Sequence, residues 1–227
     1  MIVPDLQRVG LRRDRIVAEG VRVADADGLA GLSMAKVAAG LGFTAMSLYR
    51  HVASKDELVL LMQDAAVGPP PRLTGTAWRA ALEEWTWAAL ERCRAHPWLP
   101  QAVAMFGPPA TPYQLGWLEC ALDALAPSGL TEREKVTTVL LLNGHVFADL
   151  QWAVIDAAPG APDPAGYASR LAEQLDADRF PALLRAVHGG AFTPAPDPHV
   201  DRDADFAFGL ARILDGVEQL VRARSEP

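Results

Sequence analysis

Thr44, Ala45, Ser47, Tyr49, Arg50 and His51 stand together in one short stretch of the chain, with Lys55 just beyond them. These are small or hydrogen-bonding side chains, unlike the Glu- and Lys-rich face of an ordinary surface helix. On a helix they suit the major groove of double-stranded DNA, where base edges and phosphate oxygens offer acceptors and donors. No catalytic arrangement competes with them. The chain has no glycine-rich phosphate loop, no nucleophile elbow and no zinc-ligand spacing. Its two Asp-His coincidences are Asp149 with His145, four apart, and Asp197 with His199 in a proline-rich loop. A lone pair of that kind does not make a site. Cys93 and Cys120 lie in apolar surroundings without a CxxC or Cys/His cluster. They read as buried thiols, so neither a disulfide nor a metal site is expected, and no cofactor.

Caps and breakers define the elements that must position the groove-facing residues. Ser33 can accept a hydrogen bond from the free N–H groups opening a helix over residues 34–39, and Gly40 and Gly42 bracket Leu41 where the chain turns. Thr44 caps a second helix over 45–51, and the run Ser54-Lys55-Asp56-Glu57 is a capping box that starts a third. Val37, Leu41, Leu48 and Val52 are left to face inward. A helix over 12–27 precedes them and buries Ile16, Val17, Gly20, Val21 and Ala24. The candidate DNA contacts are Ser33, Thr44, Ala45, Ser47, Tyr49, His51 and Lys55. Arg12 and Arg13 join them from a short basic arm that also holds Arg8 and Arg15.

The segment G-F-T-A-M-S-L-Y-R-H-V-A-S-K-D-E-L, from Gly42 to Leu58, resembles the recognition helix and following segment of the TetR family of bacterial transcription regulators. The glycine, the capping Thr44, the Leu48-Tyr49 pair, His51 and Lys55 fall at the family's spacing, while Arg50 stands at a position that varies. The resemblance implies an all-α fold with an N-terminal three-helix helix-turn-helix domain and a larger helical domain that binds a ligand and dimerises.

Composition is compatible with that division. Consecutive prolines at 69–71 end the third helix and place a boundary between a DNA-binding domain at 1–67 and a ligand-binding and dimerisation domain at 68–227. The net charge of -7 argues against nucleic acid until it is divided. Residues 1–67 hold eight Lys/Arg and eight Asp/Glu, so the whole deficit sits in the body. The acidic body is repelled by DNA and orients the neutral head toward it. No run approaches the roughly 20 apolar residues that cross a bilayer, and the N-terminus carries no secretory signal pattern. No membrane association and a cytoplasmic location are expected.

In the body, apolar periodicity predicts helices over 76–95, 111–126, 131–155 and 203–222, with shorter ones over 167–176 and 179–188. The 131–155 segment is apolar on almost every side, which requires burial on two faces. One face belongs to its own core and the other to a second subunit, with Val139, Leu142 and Val146 as interface candidates. Leu210, Ile213, Val217 and Leu220 are the counterparts on the last helix. The last segment resembles the dimer helix of the subfamily with a tetracycline-repressor-type C-terminal domain, which implies a four-helix interface between two copies. Isolated polar groups among aromatics outline an effector pocket: Trp85, Phe106, Tyr113, Trp117, Asn143, His145, Phe147, Asp149 and Trp152. The abundance of tryptophan suggests an apolar or aromatic small molecule.

The expected protein is a homodimeric regulator, not an enzyme. It is expected to be a repressor released from a palindromic operator when an effector favours the conformation that does not bind DNA. Two rivals stay open. One is a helical ligand-binding protein or enzyme that keeps the head without using it, for which the neutral head is the best support. The other is an activator or ligand-independent regulator.

Overall fold

The computed structural model describes residues 11–107, 110–156, 164–192 and 198–225. Every regular element among them is helical. The order is α1 (Arg13–Gly31), α2 (Met34–Leu41), α3 (Ala45–Leu48), α4 (Lys55–Val67), α5 (Trp78–Ala95), α6 (Leu99–Phe106), α7 (Pro112–Ala124), α8 (Glu132–Asp156), α9 (Pro164–Gln174), α10 (Pro181–His188) and α11 (Pro198–Ser225), with a 3-10 turn over Ala126–Ser128 between α7 and α8.

Capping chemistry sets the head's geometry. Lys36 N–H donates to Ser33 Oγ at 3.2 Å, which opens α2. Gly42 closes it at φ 75°, a left-handed turn that a side chain would strain. Ser47 N–H donates to Thr44 Oγ1, which opens α3. Regular α-helix ends at Leu48, earlier than the sequence suggests. His51 N–H donates to Leu48 C=O at 2.8 Å, a tightened turn that carries Tyr49, Arg50 and His51 past the helix end. Glu57 then locks the entry to α4. Its N–H donates to Ser54 Oγ at 3.0 Å, its Oε2 accepts from Ala53 N–H at 2.5 Å, and its other oxygen pairs with Arg13 of α1.

Leu48, Val52, Val37 and Ile16 are at most 1% exposed, so the turn that carries the groove-facing residues is anchored by its apolar side chains. The buried apolar residues form one continuous cluster, from Ile16 on α1 through Leu82 and Trp85 on α5 to Leu142 on α8 and Leu210 on α11. Burying each of those large side chains contributes about 1.5–3 kcal/mol.

Besides apolar packing, hydrogen bonds tie head to body. Asp25 of α1 accepts from Trp98 Nε1 at 2.7 Å and lies 2.8 Å from His96 Nδ1, both at the α5–α6 corner. Asp64 of α4 accepts from Tyr113 N–H at the start of α7, at 2.8 Å. Trp117 Nε1 donates to Gly68 C=O at 3.0 Å, where α4 ends. Helix α4 therefore carries Lys55 at one end and is held to the body at the other.

Candidate nucleic-acid interface and effector region

The DNA candidates lie at the start of α2, on α3, on the turn after α3 and at the start of α4, with Arg12 and Arg13 at the start of α1. Ser33, Thr44, Tyr49, His51 and Lys55 are exposed, and Ala45 and Ser47 half-buried. Thr44 and Ser47 lean on each other, with hydroxyl oxygens 3.0 Å apart. Tyr49, at 47% exposure, projects from the turn that follows α3. Lys55 sits in the first turn of α4, where the positive end of the helix dipole disfavours a cation but attracts a phosphate.

Ion pairing separates the head's cations into two groups. Arg12 lies 3.5 Å from Asp14, Arg13 pairs with Glu57, Arg22 with Glu19 at 2.5 Å, and Lys36 with Asp27 at 2.9 Å. The Arg22 guanidinium holds the Glu19 carboxyl below its ordinary pKa. Arg50 and Lys55, by contrast, have no acidic partner among the described residues. Arg12 and Arg13, though paired within the head, stay solvent-exposed, and Arg50 joins them as an exposed cation. The sequence offered a signal for Arg50: it follows Tyr49 in a stretch without acids. Arg8 lies outside the described residues.

Of the nine expected pocket residues, Trp85 and Trp117 are in direct contact, and the others lie on α6, α7 and α8. Trp85 is 2% exposed and donates through Nε1 to Trp117 C=O at 3.0 Å, while the two rings meet edge-on at 5.8 Å. His145 stacks on the Phe206 ring at 4.5 Å, its Nε2 lies 2.9 Å from Phe206 C=O, and it occupies the space where Gly209 lacks a side chain. Asp149 faces Arg94 at 3.5 Å, and Arg94 also binds Asp203 at 2.6 Å. Tyr113 is 42% exposed, whereas Phe106, Asn143 and Phe147 are half-buried, the two phenylalanines against the core. The Trp152 side chain lies outside the described residues. Aromatic and polar side chains at helical spacing here join helices to one another.

Two grooves do exist, and neither is lined by those nine. One, of about 510 Å³, is an open hollow on α5 lined by Ala80, Glu83, Glu84, Trp87, Ala88 and Glu91. The other, of about 200 Å³, lies where head meets body, between Leu29, Lys55 and Val59 on one side and Gln101 and Met105 on the other.

A residue the sequence reading missed is Gln63 on α4. It is 1% exposed, and its Oε1 is buried without a hydrogen-bond partner among the described residues. Buried amide oxygens are seldom left unpaired, because the lost hydration costs about 1–3 kcal/mol. The signal was a glutamine at position 63, four after Val59, on the helix's apolar side.

Most residues of the expected self-association face are already packed within a single chain. Val139, Leu142, Val146, Leu210 and Val217 are at most 8% exposed within a single chain, and Ile213 is half-buried. Helices α8 and α11 turn those residues toward α5 and each other. The apolar side chains left outside are Val136, Leu140 and Leu141 on α8 and Phe208 and Leu220 on α11, from 39% to 65% exposed. Of the seven candidates, Leu220 is the one on that outer side.

Among the described residues no helix is long and apolar enough to cross a membrane, and no three His, Cys, Asp or Glu converge as a metal site.

Comparison with known proteins places this architecture. Residues 16–62 match the family of bacterial regulatory proteins called the tetR family, and residues 70–221 match the tetracyclin repressor-like C-terminal domain. The chain is 37% identical over 224 residues to the HTH-type transcriptional repressor DrrR1 of Streptomyces coeruleorubidus, covering 94% of this chain and 80% of that protein. The crystal structure of apo ActR from Streptomyces coelicolor is similar at 26% identity, with a TM-score of 0.77 over 95% of this chain and 98% of that one. ActR in complex with actinorhodin is similar at 27% identity, with a TM-score of 0.76 over 92% and 96%. With both halves matched and a helix-turn-helix head on a helical body, the chain belongs to the TetR family and is a helix-turn-helix regulator of transcription.

Proposed function

We propose that the protein is a cytoplasmic, homodimeric repressor whose head, residues 1–67, holds a palindromic operator, and whose body, residues 68–227, binds a small-molecule effector that releases it. The observation that carries the DNA reading is the set of unpaired, exposed donors on the turn after α3 and at the start of α4: Tyr49, Arg50, His51 and Lys55. Cations clustered in an acid-free stretch of an acidic protein suit anionic partners, and phosphates supply them. The outer apolar stripes of α8 and α11 supply the contact between copies, which sets the spacing of two heads.

Helix α4 supports the effector reading. It carries Lys55 at its first turn and buries the unpartnered Gln63 amide oxygen two turns later, so an effector that donates a hydrogen bond there and a phosphate at Lys55 act on one rigid element. ActR, which this chain resembles, has been solved with the small molecule actinorhodin, which is consistent with an effector of this kind. The repressor name of DrrR1 favours release over activation.

The test is a mobility-shift titration of the full-length protein on the intergenic DNA beside its own gene, across a range of salt. The expected result is specific binding whose logarithm falls linearly with the logarithm of salt. Failure to retard any fragment, with or without small-molecule library compounds, would sink the reading and favour a ligand-binding protein that does not use its head. Gln63→Leu is expected to weaken release by an effector found through tryptophan fluorescence while leaving operator affinity intact.

A further inference from the structure

Met46 is 76% exposed, the highest value among the large apolar side chains described. It is the second residue of α3, and its neighbours on that turn are otherwise engaged. The Thr44 and Ser47 hydroxyls face each other at 3.0 Å, Ala45 is half-buried, and Leu48 is fully buried. Tyr49 and Arg50, three and four residues on, share its side of the turn and are exposed with it. The most prominent group on the leading turn of the recognition helix is therefore a flexible thioether with no strong hydrogen-bonding capacity.

A major groove offers such a side chain one favourable partner. Three of the four bases present only donors and acceptors at their groove edges, whereas thymine adds a C5 methyl group. Met46 gains nothing from phosphates and would leave polar base edges unsatisfied, while burial against a methyl removes apolar surface of both groups from water. Resting on the DNA-binding reading above, we propose that Met46 is a specificity-determining residue that recognises the methyl group of one thymine in each operator half-site.

The test uses the full-length protein and the footprinted intergenic fragment beside its own gene, with each thymine replaced in turn by deoxyuridine. That change deletes one methyl and leaves every hydrogen-bonding group in place. For the unaltered protein, one substitution per half-site is expected to weaken binding about fourfold, the worth of about one buried methyl group. Met46→Ala and Met46→Gln are expected to bind the fragment more weakly and to be indifferent to that same substitution, and Met46→Leu to restore the dependence. Uracil effects of equal size in the unaltered protein and in Met46→Ala, or no uracil effect at all on a fragment that is bound, would overturn the assignment. Absence of binding by the unaltered protein to any fragment would overturn the DNA-binding reading first, and this inference with it.

Discussion

Head and body are both helical, and in both some cations join helices while others face solvent, but the unanswered ones are placed differently. In the body, cations join helices: Arg79 reaches Asp215 at 2.6 Å and Glu218 at 3.2 Å, linking α5 to α11, and Arg224 reaches Glu134 at 2.6 Å, linking α11 to α8. The carboxyls of Asp215, beside Arg212 and Arg79, and of Glu134, bonded to Thr131 and near Arg224, are held below their ordinary pKa values. In the head, Arg13 and Lys36 join elements in the same manner, but Arg50 and Lys55 are left unanswered at its working end. Surface ion pairs contribute little to stability, about 0–1 kcal/mol each. The difference between the two regions thus says more about partners than about folding: Arg50 and Lys55 stand in a stretch with no acid between Lys36 and Asp56, whereas the body's arginines unanswered among the described residues, such as Arg72, Arg92 and Arg133, are spread through a domain with excess carboxylates.

The largest test of this contrast removes the body's central anchor. Trp85→Ala deletes a fully packed indole and its added hydrogen bond to Trp117 C=O, and is expected to cost about 3–5 kcal/mol of stability in urea denaturation followed by circular dichroism. Because one apolar cluster spans α1 to α11, head and body signals are expected to shift together. Separate transitions would show that the two regions fold independently.

Asp25→Ala cuts the tie between α1 and the α5–α6 corner and leaves the Trp98 indole N–H without its acceptor. The expected loss is about 1–3 kcal/mol in the same assay. A smaller effect, with unchanged tryptophan emission, would mean that water replaces the carboxylate easily.

Lys55→Ala and Arg50→Ala are each expected to lower operator affinity for all sequences and to reduce the salt slope by about 1. Arg13→Ala, whose charge is already paired with Glu57, is expected to leave that slope unchanged. Equal slope changes in all three variants would erase the distinction between paired and unpaired cations.

The smallest expected effect is in thiol chemistry. Burial pushes the Cys93 thiol from 9.0 up to about 12, and burial with the nearby Asp123 raises Cys120. Alkylation of the native protein at pH 8 is therefore expected to leave Cys93 unmodified, since the thiolate is the nucleophile. A thiol that is neutral when folded and ionises near 9.0 when unfolded stabilises the fold below pH 9, and that contribution is lost as pH rises toward 12. Rapid labelling of Cys93 at pH 8 would show that the body opens locally.

How much was legible in the sequence followed how local the deciding interaction was. Ser33, Thr44, Ser54 and Glu57 act within four residues of themselves, so the head's helices and its turn at Gly42 could be read from spacing. The same holds for Thr131 and Glu134 at the start of α8. The body's functional faces could not be read in this way. On α8, Val139 and Leu140 are adjacent and both apolar, yet one is 2% and the other 62% exposed. Nothing in an all-round apolar helix says which side meets its own core. The pocket candidates were illegible for a related reason: a tryptophan or histidine at helical spacing looks the same whether it lines a cavity or joins two helices, as Trp85 and His145 do.

By itself the sequence determined the helical fold, the capped helix-turn-helix and the acid-free stretch that it presents, because these rest on hydrogen bonds and periodicities within a few residues. Which cations remain unpaired, which side of α8 and α11 faces outward, and that Gln63 is buried without a partner were decided only in three dimensions. Those properties depend on residues such as Arg13 and Glu57, or His145 and Gly209, that lie far apart in the chain and meet only when the helices pack.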